Sequence, residues 1–275
     1  MANAAVPRCR LVESNADLIP ARQTITPYVD AVSPGSRIAS MITGFPFMHR
    51  SKKPGEYLFR AGGNFHFLYV LNAGFVKTFY VSVDGREQTT GLHLRGDILG
   101  LDAIATGTYG CDAVALDACD VLALPYDVVL ACSHRNPDLM QALYQAFSAE
   151  IRSDQELMLN MRSLHAAGKV AAFLLEMSLR FASRGFSATQ FQLRLTRQEI
   201  GSMLGLKLET VSRALSRFAN MGLITVCLRE IVLLDCAGLL NVVAQPAKLK
   251  PGGKKISRGF FIGATRSLFP SVTTE

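Results

Sequence analysis

The spacing of hydrophobic and polar residues changes twice along the chain, and the first region predicts strands. Between about residues 45 and 130, short β-rich runs such as FLYVL and DVLALPY are separated by glycine turns. Five glycines recur every eleven residues: Gly63, Gly74, Gly85, Gly96 and Gly107. This turn rhythm is typical of an antiparallel roll or barrel, and Asp84-Gly85 is a hairpin signal. We therefore predict a β-roll domain over residues 36–133.

The second region has a helical spacing. Its mostly apolar positions alternate four and three residues apart: Met140, Tyr144, Phe147, Ile151, Asp154, Met158, Met161 and His165. A 4-3 spacing sustained over nearly four heptads favours a parallel helix pair across a two-fold axis. We predict a dimerisation helix over residues 134–165. The alternative is a helix that lies against the β-roll of its own chain.

The third region, residues 166–244, combines helices with a terminal hairpin. After an apolar helix, Thr196 and Glu199 have the spacing of a capping box, so a new helix begins there. Gly205 supplies a turn, and a second helix begins near Leu208. The alternating segment LITVCLREIVLLD then predicts a two-stranded wing. The pattern as a whole indicates a winged helix-turn-helix.

The second helix of this pair presents Glu209, Ser212 and Arg213 on its outward face, since Val211 and Leu215 face inward. Arginine binds guanine bidentately, glutamate accepts from cytosine N4, and serine is adaptable. Four further residues are placed to contact phosphates: Thr196, Arg197, Ser216 and Arg217. The alternative is an ordinary helical hairpin with solvated charges.

Composition limits the class of protein. A chain of 275 residues with 49% hydrophobic and 19% charged residues can bury one or two cores. No apolar run approaches the ~20 residues that a membrane span needs. The first residues lack the apolar core of a secretory signal. These features predict a cytoplasmic protein with no membrane partner.

The net charge of +7 is concentrated at the C-terminus. Residues 245–275 carry six Lys or Arg and one Glu, which together contribute +5. Their Pro, Gly and Lys content predicts a basic disordered tail, while residues 1–35 are expected to form a loosely packed arm. Because the rest of the chain is close to neutral, DNA binding must be argued from the local helix-turn-helix site.

The segment LTRQEIGSMLGLKLETVSRALSRFANMGLITV, residues 195–226, resembles the DNA-binding signature of the CRP/FNR superfamily. Its ETVSR core resembles the FNR branch, and similarity extends through DGREQTTGLHLRGDILGLDAIATG and SAEIRSDQELML to cover residues 45–243. The resemblance implies an α+β protein with a cyclic-nucleotide-binding-like β-roll, a long dimerisation helix and a winged helix-turn-helix. It implies a homodimeric transcription regulator bound to double-stranded DNA.

The same resemblance implies residue roles and a second partner. Glu209, Ser212 and Arg213 would contact bases of an inverted repeat similar to TTGAT–N4–ATCAA. The hairpin tip Asp84, Gly85 and Arg86 matches a loop that touches RNA polymerase in FNR-type activators. The alternative for this tip is an ordinary polar turn.

Members of the superfamily can hold cyclic AMP through a Gly-Glu segment and an Arg-Ser pair. Here Asp97 and Ile98 stand near the first position, and Cys111 and Asp112 stand at the second. A carboxylate at Asp112 would repel a phosphate rather than neutralise it. Cyclic AMP is therefore not expected to bind in the usual manner.

The FNR branch instead carries a [4Fe–4S] cluster on four thiolates, three of them in an N-terminal C-x2-C-x5-C run. Starting from Cys9, that spacing reaches Val12 and Leu18. The fourth position falls on Leu122, with Cys119 three residues earlier. We expect no cluster, and no other cofactor or metal site.

Cys9 lies between Arg8 and Arg10, which would lower the pKa of its thiol. It is either a redox-sensing thiol or an incidental exposed cysteine. No nucleophile–base pair, phosphate loop or metal spacing indicates an enzyme. Two alternatives remain open: a regulator that responds to a cyclic nucleotide or to thiol oxidation, and a ligand-binding or scaffold module whose helix-turn-helix only packs.

Overall fold

The structure, a computed structural model, describes residues 48–245. The predicted N-terminal arm with Cys9, and the predicted basic tail beyond residue 245, lie outside the described residues.

Eight strands form two antiparallel four-stranded sheets. In chain order they are β1 Met48–Lys52, β2 Tyr57–Phe59, β3 Phe67–Ala73, β4 Val76–Val81, β5 Glu87–His93, β6 Ile98–Leu99, β7 Asp112–Ala115 and β8 Cys119–Pro125. A short 3-10 helix, Leu101–Ile104, follows β6. The sheet orders are β1-β8-β3-β6 and β2-β7-β4-β5. The predicted β-roll is confirmed, and the hairpin at Asp84-Gly85 joins β4 to β5.

Aromatic and small apolar residues fill the space between the two sheets. The ring of Phe59 stacks on Tyr109 with their centroids 4.1 Å apart, and Leu71, Val76 and Val121 are completely buried. Because alternate residues of a strand point to opposite faces, each strand supplies this core with every second side chain. The interior of the roll is thereby occupied by its own side chains.

Two helices follow the roll: α1, Tyr126–Ser133, which the sequence pattern did not predict, and α2, Pro137–Ser163. One face of α2, which includes Leu139 and Leu143, packs on the outer face of the first sheet. The helix ends two residues before the predicted boundary because Leu164 is extended, with φ −94° and ψ 145°. The assignment of His165 to the helical seam was therefore wrong, and His165 instead precedes the next helix as its N-cap.

The C-terminal region contains four helices and three strands: α3 Ala166–Ala182, β9 Gln190–Gln192, α4 Arg197–Leu204, α5 Leu208–Asn220, β10 Ile224–Cys227, β11 Glu230–Leu233 and α6 Cys236–Ala244. The sheet order β10-β11-β9 adds a strand to the two predicted. The sequence pattern also missed α6, whose first turn is capped by Asp235 accepting from Gly238 N at 2.8 Å. Cys236, assigned to the wing, lies on this helix.

The two regions share a hydrophobic core. Leu92 and Leu94, on and just after β5, pack with α3 and with the helix-turn-helix. Helix α4 lies against β5, the edge strand of its sheet. This packing places the helix-turn-helix directly against the β-roll.

Across residues 48–245, every helix is too short or too polar to cross a bilayer.

Candidate nucleic-acid interface

Helix α4 begins at the predicted capping box. Thr196 Oγ1 accepts from Glu199 N at 3.2 Å, and Glu199 Oε2 accepts from Thr196 N at 2.7 Å. The helix ends at Gly205, whose φ of 64° lies in the left-handed region that glycine adopts without strain. Both ends of α4 therefore follow from local sequence.

The turn between α4 and α5 is closed by a glycine that the sequence pattern did not single out. Leu206 N donates to Gly201 O at 2.8 Å. A Cβ on Gly201 would lie 2.7 Å from Leu206 O, a contact that side chains essentially never make. Only glycine lets the turn approach α4 this closely, so Gly201 sets how α5 crosses α4.

Helix α5 is strongly two-faced. Val211, Leu215 and Phe218 are buried, as the pattern predicted. Glu209 and Arg213 are exposed and Ser212 is half-buried, all within the first two turns. The N-terminal end of a recognition helix is the part that reaches base edges in the major groove. The fold thus leaves these three side chains available to a ligand.

The four residues predicted to contact phosphates are also exposed: Thr196, Arg197, Ser216 and Arg217. Thr196 and Arg197 begin α4, whereas Ser216 and Arg217 lie in the second half of α5. The Thr196 oxygen already caps α4, which leaves its O–H free to donate. Burial, followed by the charge of Arg217, lowers the pKa of His165.

Polar contacts from the β-roll hold α4 in place. Lys77 Nζ lies 2.7 Å from Glu199 Oε1 and 3.1 Å from Glu87 Oε2. Ser202 Oγ donates to Glu87 O and accepts from Thr89 N, both at 3.0 Å. Ser202 therefore satisfies backbone groups on the free edge of β5.

This environment shifts the pKa of both partners of the central pair. Burial lowers the pKa of Lys77, but the hydrogen bonds and charges of Glu199 and Glu87 outweigh it, so its pKa is raised. Burial raises the pKa of Glu199, but hydrogen bonds from Lys77 and Thr196 outweigh it, so its pKa is lowered. Both shifts favour the charged pair.

A second ionic contact joins α3 to the roll. Asp97, which follows β5, lies 2.7 Å from Arg180 and also pairs with Arg184. Burial alone would raise the pKa of Asp97, but the two guanidinium groups lower it. The residue that stands near the expected Gly-Glu position thus links the two regions.

The 4-3 seam on α2 divides into exposed and packed positions. Tyr144, Ile151 and Met158, seven residues apart, are 65%, 57% and 52% exposed. Phe147 is half-buried against the core beneath α2. A Cβ on Gly205 would lie 3.2 Å from Met161 Cε, so the end of α2 meets the α4–α5 turn. The helix covers the roll with one face and leaves a heptad-spaced apolar stripe on another.

The remaining seam positions are Met140, which is half-buried, and Asp154, which is exposed. Burial nevertheless raises the pKa of the Asp154 carboxyl.

Two families of known proteins match the two regions. The Crp-like helix-turn-helix domain family matches residues 168–242, and the cyclic nucleotide-binding domain family matches residues 49–136. The transcriptional activator protein anr of Pseudomonas aeruginosa is 41% identical over 186 residues, which cover 68% of this chain and 76% of the relative. The fumarate nitrate reduction regulatory protein of Klebsiella oxytoca is 40% identical, with 70% and 79% covered. The chain belongs to the Crp/Fnr family.

Solved structures support the Crp/Fnr assignment. FixK2 from Bradyrhizobium japonicum is 29% identical with a TM-score of 0.67, over 74% of this chain and 100% of that one. The regulator TTHB099 from Thermus thermophilus shares the fold at 21% identity and a TM-score of 0.59, over 72% and 97%. The predicted α+β architecture is confirmed, and this Crp/Fnr chain is a DNA-binding transcription regulator. Its relatives are transcription regulators rather than enzymes.

The Crp/Fnr β-roll of this chain carries carboxylates near the predicted Arg-Ser position. Asp112 is buried, and its Oδ1 accepts from Ala61 N at 2.9 Å. Burial, followed by the carboxylates of Asp102, Asp112 and Glu150, raises the pKa of the Cys111 thiol to about 12. The surroundings of Cys111 therefore disfavour an anion.

The described cysteines are separate from one another in function. Cys119 is buried on β8, and its thiol donates to Phe75 O at 3.2 Å. Within residues 48–245, no group of three or more His, Cys, Asp or Glu could hold a metal ion. A [4Fe–4S] cluster requires four thiolates, and the cysteines of this part of the chain do not fit one.

The β4–β5 hairpin projects its tip into solvent. Asp84, Gly85 and Arg86 are all exposed. Asp84 pairs with Arg86, and hydrogen bonds, first from Arg86, lower the pKa of the Asp84 carboxyl. The tip is a rigid, exposed turn whose two charges already neutralise each other.

Several residues that position the interface were missed by the sequence pattern: Lys77, Asp97, Gly201 and Ser202. A charged Lys77 inside the otherwise apolar run FVKTFYV was a usable signal, because a buried lysine needs a partner. Ser202 carried no signal, since an exposed-looking serine in a helix has many roles.

Proposed function

We propose that this chain acts as a homodimer that binds an inverted repeat similar to TTGAT–N4–ATCAA and activates transcription through contact with RNA polymerase. The observation that carries the proposal is the exposed group Glu209, Ser212 and Arg213 at the start of α5. Relatives that share 38–41% identity are named as transcriptional activators or anaerobic regulators. DNA as the partner places the action of the protein in the cytoplasm.

The chemistry of this group suits the proposed repeat. Arg213 can donate two hydrogen bonds to guanine, Glu209 can accept from cytosine N4, and Ser212 can either donate or accept. The phosphate contacts of Arg197 and Arg217 would set the register of α5 in the groove without reading sequence.

The heptad-spaced stripe on α2 supports a dimer. Tyr144, Ile151 and Met158 are exposed although the other face of the helix is buried on the roll. An apolar stripe at this spacing is the surface that a second parallel helix covers. A two-fold dimer would then present two copies of α5 to the two halves of an inverted repeat.

The tip Asp84, Gly85 and Arg86 is our candidate for the polymerase contact. Its exposure on a rigid hairpin supports this role. The test is transcription in vitro on a promoter with the proposed repeat. Replacing Asp84 and Arg86 together with Ala should lower transcription several-fold and leave DNA affinity unchanged. Equal transcription by the double variant and the wild type would exclude the tip.

The signal is not a cyclic nucleotide or an iron–sulfur cluster in this proposal. A cyclic phosphate does not fit beside Asp112 and the carboxylates around Cys111, which already raise that thiol's pKa to about 12. The four thiolates of a cluster are not supplied by the described cysteines. Cys9 between two arginines remains the candidate for a redox-sensing thiol.

A gel-shift titration tests the central claim. The full chain should bind a duplex with the proposed repeat at least about 1000-fold more tightly than scrambled DNA of the same length, within the usual range for specific binding. A protein whose helix-turn-helix only packs would show no preference. Arg135→Ala, which removes an exposed arginine on the far side of the roll, is the control for charge alone.

A further inference from the structure

The turn of the β10–β11 hairpin has an unusual residue at its tip. Cys227 pairs with Glu230, so Leu228 and Arg229 form a two-residue turn. Leu228 has a φ of 54° and is 93% exposed. The left-handed region strains a bulky side chain, and glycine dominates this position of two-residue hairpins. Leu228 thus combines backbone strain with an apolar side chain in solvent, and its packing explains neither.

The tip is held firmly relative to the helix-turn-helix. Arg229 O accepts from Leu193 N at 2.7 Å. β11 also pairs with β9, which leads through Leu195 into the first residue of α4. A side chain on this tip therefore has a defined position beside α4.

A groove separates the tip from the two helices. A cavity of about 210 Å³ is lined by Leu228, Arg229 and Arg197, above an apolar floor. A second cavity of about 270 Å³ shares Leu228 and Arg197 and extends along α5 to Ser216. The wing tip therefore borders the same surface as two residues proposed to contact phosphates.

We propose that the wing tip is a further DNA contact, in which Arg229 pairs with a backbone phosphate held in this groove and Leu228 packs on the adjoining sugars. The inference rests on the proposed function and extends its interface beyond α5. Two arginines facing one groove complement a phosphate, and the groove is continuous with the α5 surface. An exposed apolar residue beside a cationic one is the combination that nucleic-acid backbones and minor grooves accept.

Two variants test the contact in the full-length protein. Arg229→Gln should weaken binding about tenfold, because a charge-assisted hydrogen bond is lost in each protomer. It should also reduce the slope of log affinity against log salt by about 1 for each protomer. The order of preference among mutated repeats should not change, since a phosphate contact reads no sequence.

Leu228→Gly relieves the strained φ while it removes the apolar contact. Its melting temperature should equal or exceed that of the wild type, yet its DNA affinity should fall several-fold. A loss of affinity together with a gain in stability cannot come from misfolding. Leu234→Ala, which shortens an exposed leucine just after β11, is the matched control and should leave affinity unchanged.

Arg135→Gln is the control for net charge. If Arg229→Gln and Arg135→Gln have the same affinity and salt slope, the wing contact is refuted. Failure of the proposed function is distinguishable, because the wild type would then show no preference for the repeat. Even in that case, the salt slopes on scrambled DNA would decide whether Arg229 touches a phosphate.

Discussion

Lys77 on β4 and Glu199 on α4 form an ion pair of 2.7 Å that joins the β-roll to the helix-turn-helix. Lys77 is only 6% exposed. The other oxygen of Glu199 accepts from Thr196 N and completes the capping box. One carboxylate therefore both begins α4 and attaches it to the roll, so the placement of the DNA-binding helices depends on the sensory domain.

Glu199→Gln tests this attachment. Glutamine can still cap α4, but Lys77 is left buried with Glu87 as its charged partner. We expect the free energy of unfolding to fall by about 1–3 kcal/mol at pH 7, the cost of weakening a buried charge-assisted hydrogen bond. Urea denaturation measures it. Lys77→Met combined with Glu199→Gln should recover part of the loss, and a Glu199→Gln protein as stable as the wild type would contradict the expectation.

The same pair predicts a pH dependence. The pKa of Glu199 is lowered in the folded chain from its ordinary 4.5, so its contribution to stability is complete above that value. The contribution is lost as the pH falls through the folded pKa. The difference in unfolding free energy between wild type and Glu199→Gln should therefore shrink below about pH 4.5.

Glu150 predicts the opposite dependence. Burial, followed by the charge of Asp154, raises the pKa of the Glu150 carboxyl to about 7. A raised carboxyl pKa means that stability is lost as the pH rises through the window between 4.5 and about 7. Glu150→Gln should therefore raise the melting temperature at pH 8 and leave it nearly unchanged at pH 4.5. Glu156→Gln, on the same helix, is the matched control; an equal effect from it would point to net charge instead.

Asp154 and Ile151 test the proposed dimer. Burial raises the pKa of Asp154 within one chain, and in a parallel dimer a facing copy would raise it further. The dimer would then bind protons more tightly, so it should strengthen as the pH falls through the raised pKa and weaken as the pH rises.

We expect Asp154→Ala to tighten the dimer, Ile151→Ala to weaken it, and DNA affinity to follow both. Sedimentation equilibrium from mildly acidic to neutral pH measures the association constants. An unchanged constant for Asp154→Ala at neutral pH would mean that the residue is a solvated acid and that the proposed register is wrong.

Arg213 and Arg197 should differ in kind. Arg213→Ala should cost about 1–3 kcal/mol on the proposed repeat and relax discrimination at the guanine it contacts. Arg197→Ala should weaken binding to all sequences and lower the salt slope. Titrations against specific and scrambled duplexes at several salt concentrations separate the two. Equal weakening on both duplexes by Arg213→Ala would remove its assignment to a base.

The cofactor prediction has a direct test. Anaerobic reconstitution with iron and sulfide should leave the full chain colourless, and air should not change its DNA binding. A stable brown product with stoichiometric iron would overturn the expectation. The ligands would then have to be sought among Cys9, Cys111 and Cys119.

Much of the architecture was predictable because it depends on residues close together in sequence. The capping box of Thr196 and Glu199 spans three residues, and the buried face of α5 repeats at helical spacing through Val211 and Leu215. The Asp84-Gly85 turn requires the dihedral angles that glycine supplies. The exposed face of α5 followed from the buried one, and the base-reading candidates followed with it.

The tertiary structure decided how these elements meet. Lys77 and Glu199 are 122 residues apart, and Ser202 fills the edge of a strand more than a hundred residues away. No spacing rule links such positions, because their pairing depends on which surfaces bury the most apolar area when the whole chain packs. The short β9, stabilised by its partner β11, escaped prediction for the same reason. The strain at Leu228 also arises only when the hairpin register places a leucine where glycine would be preferred.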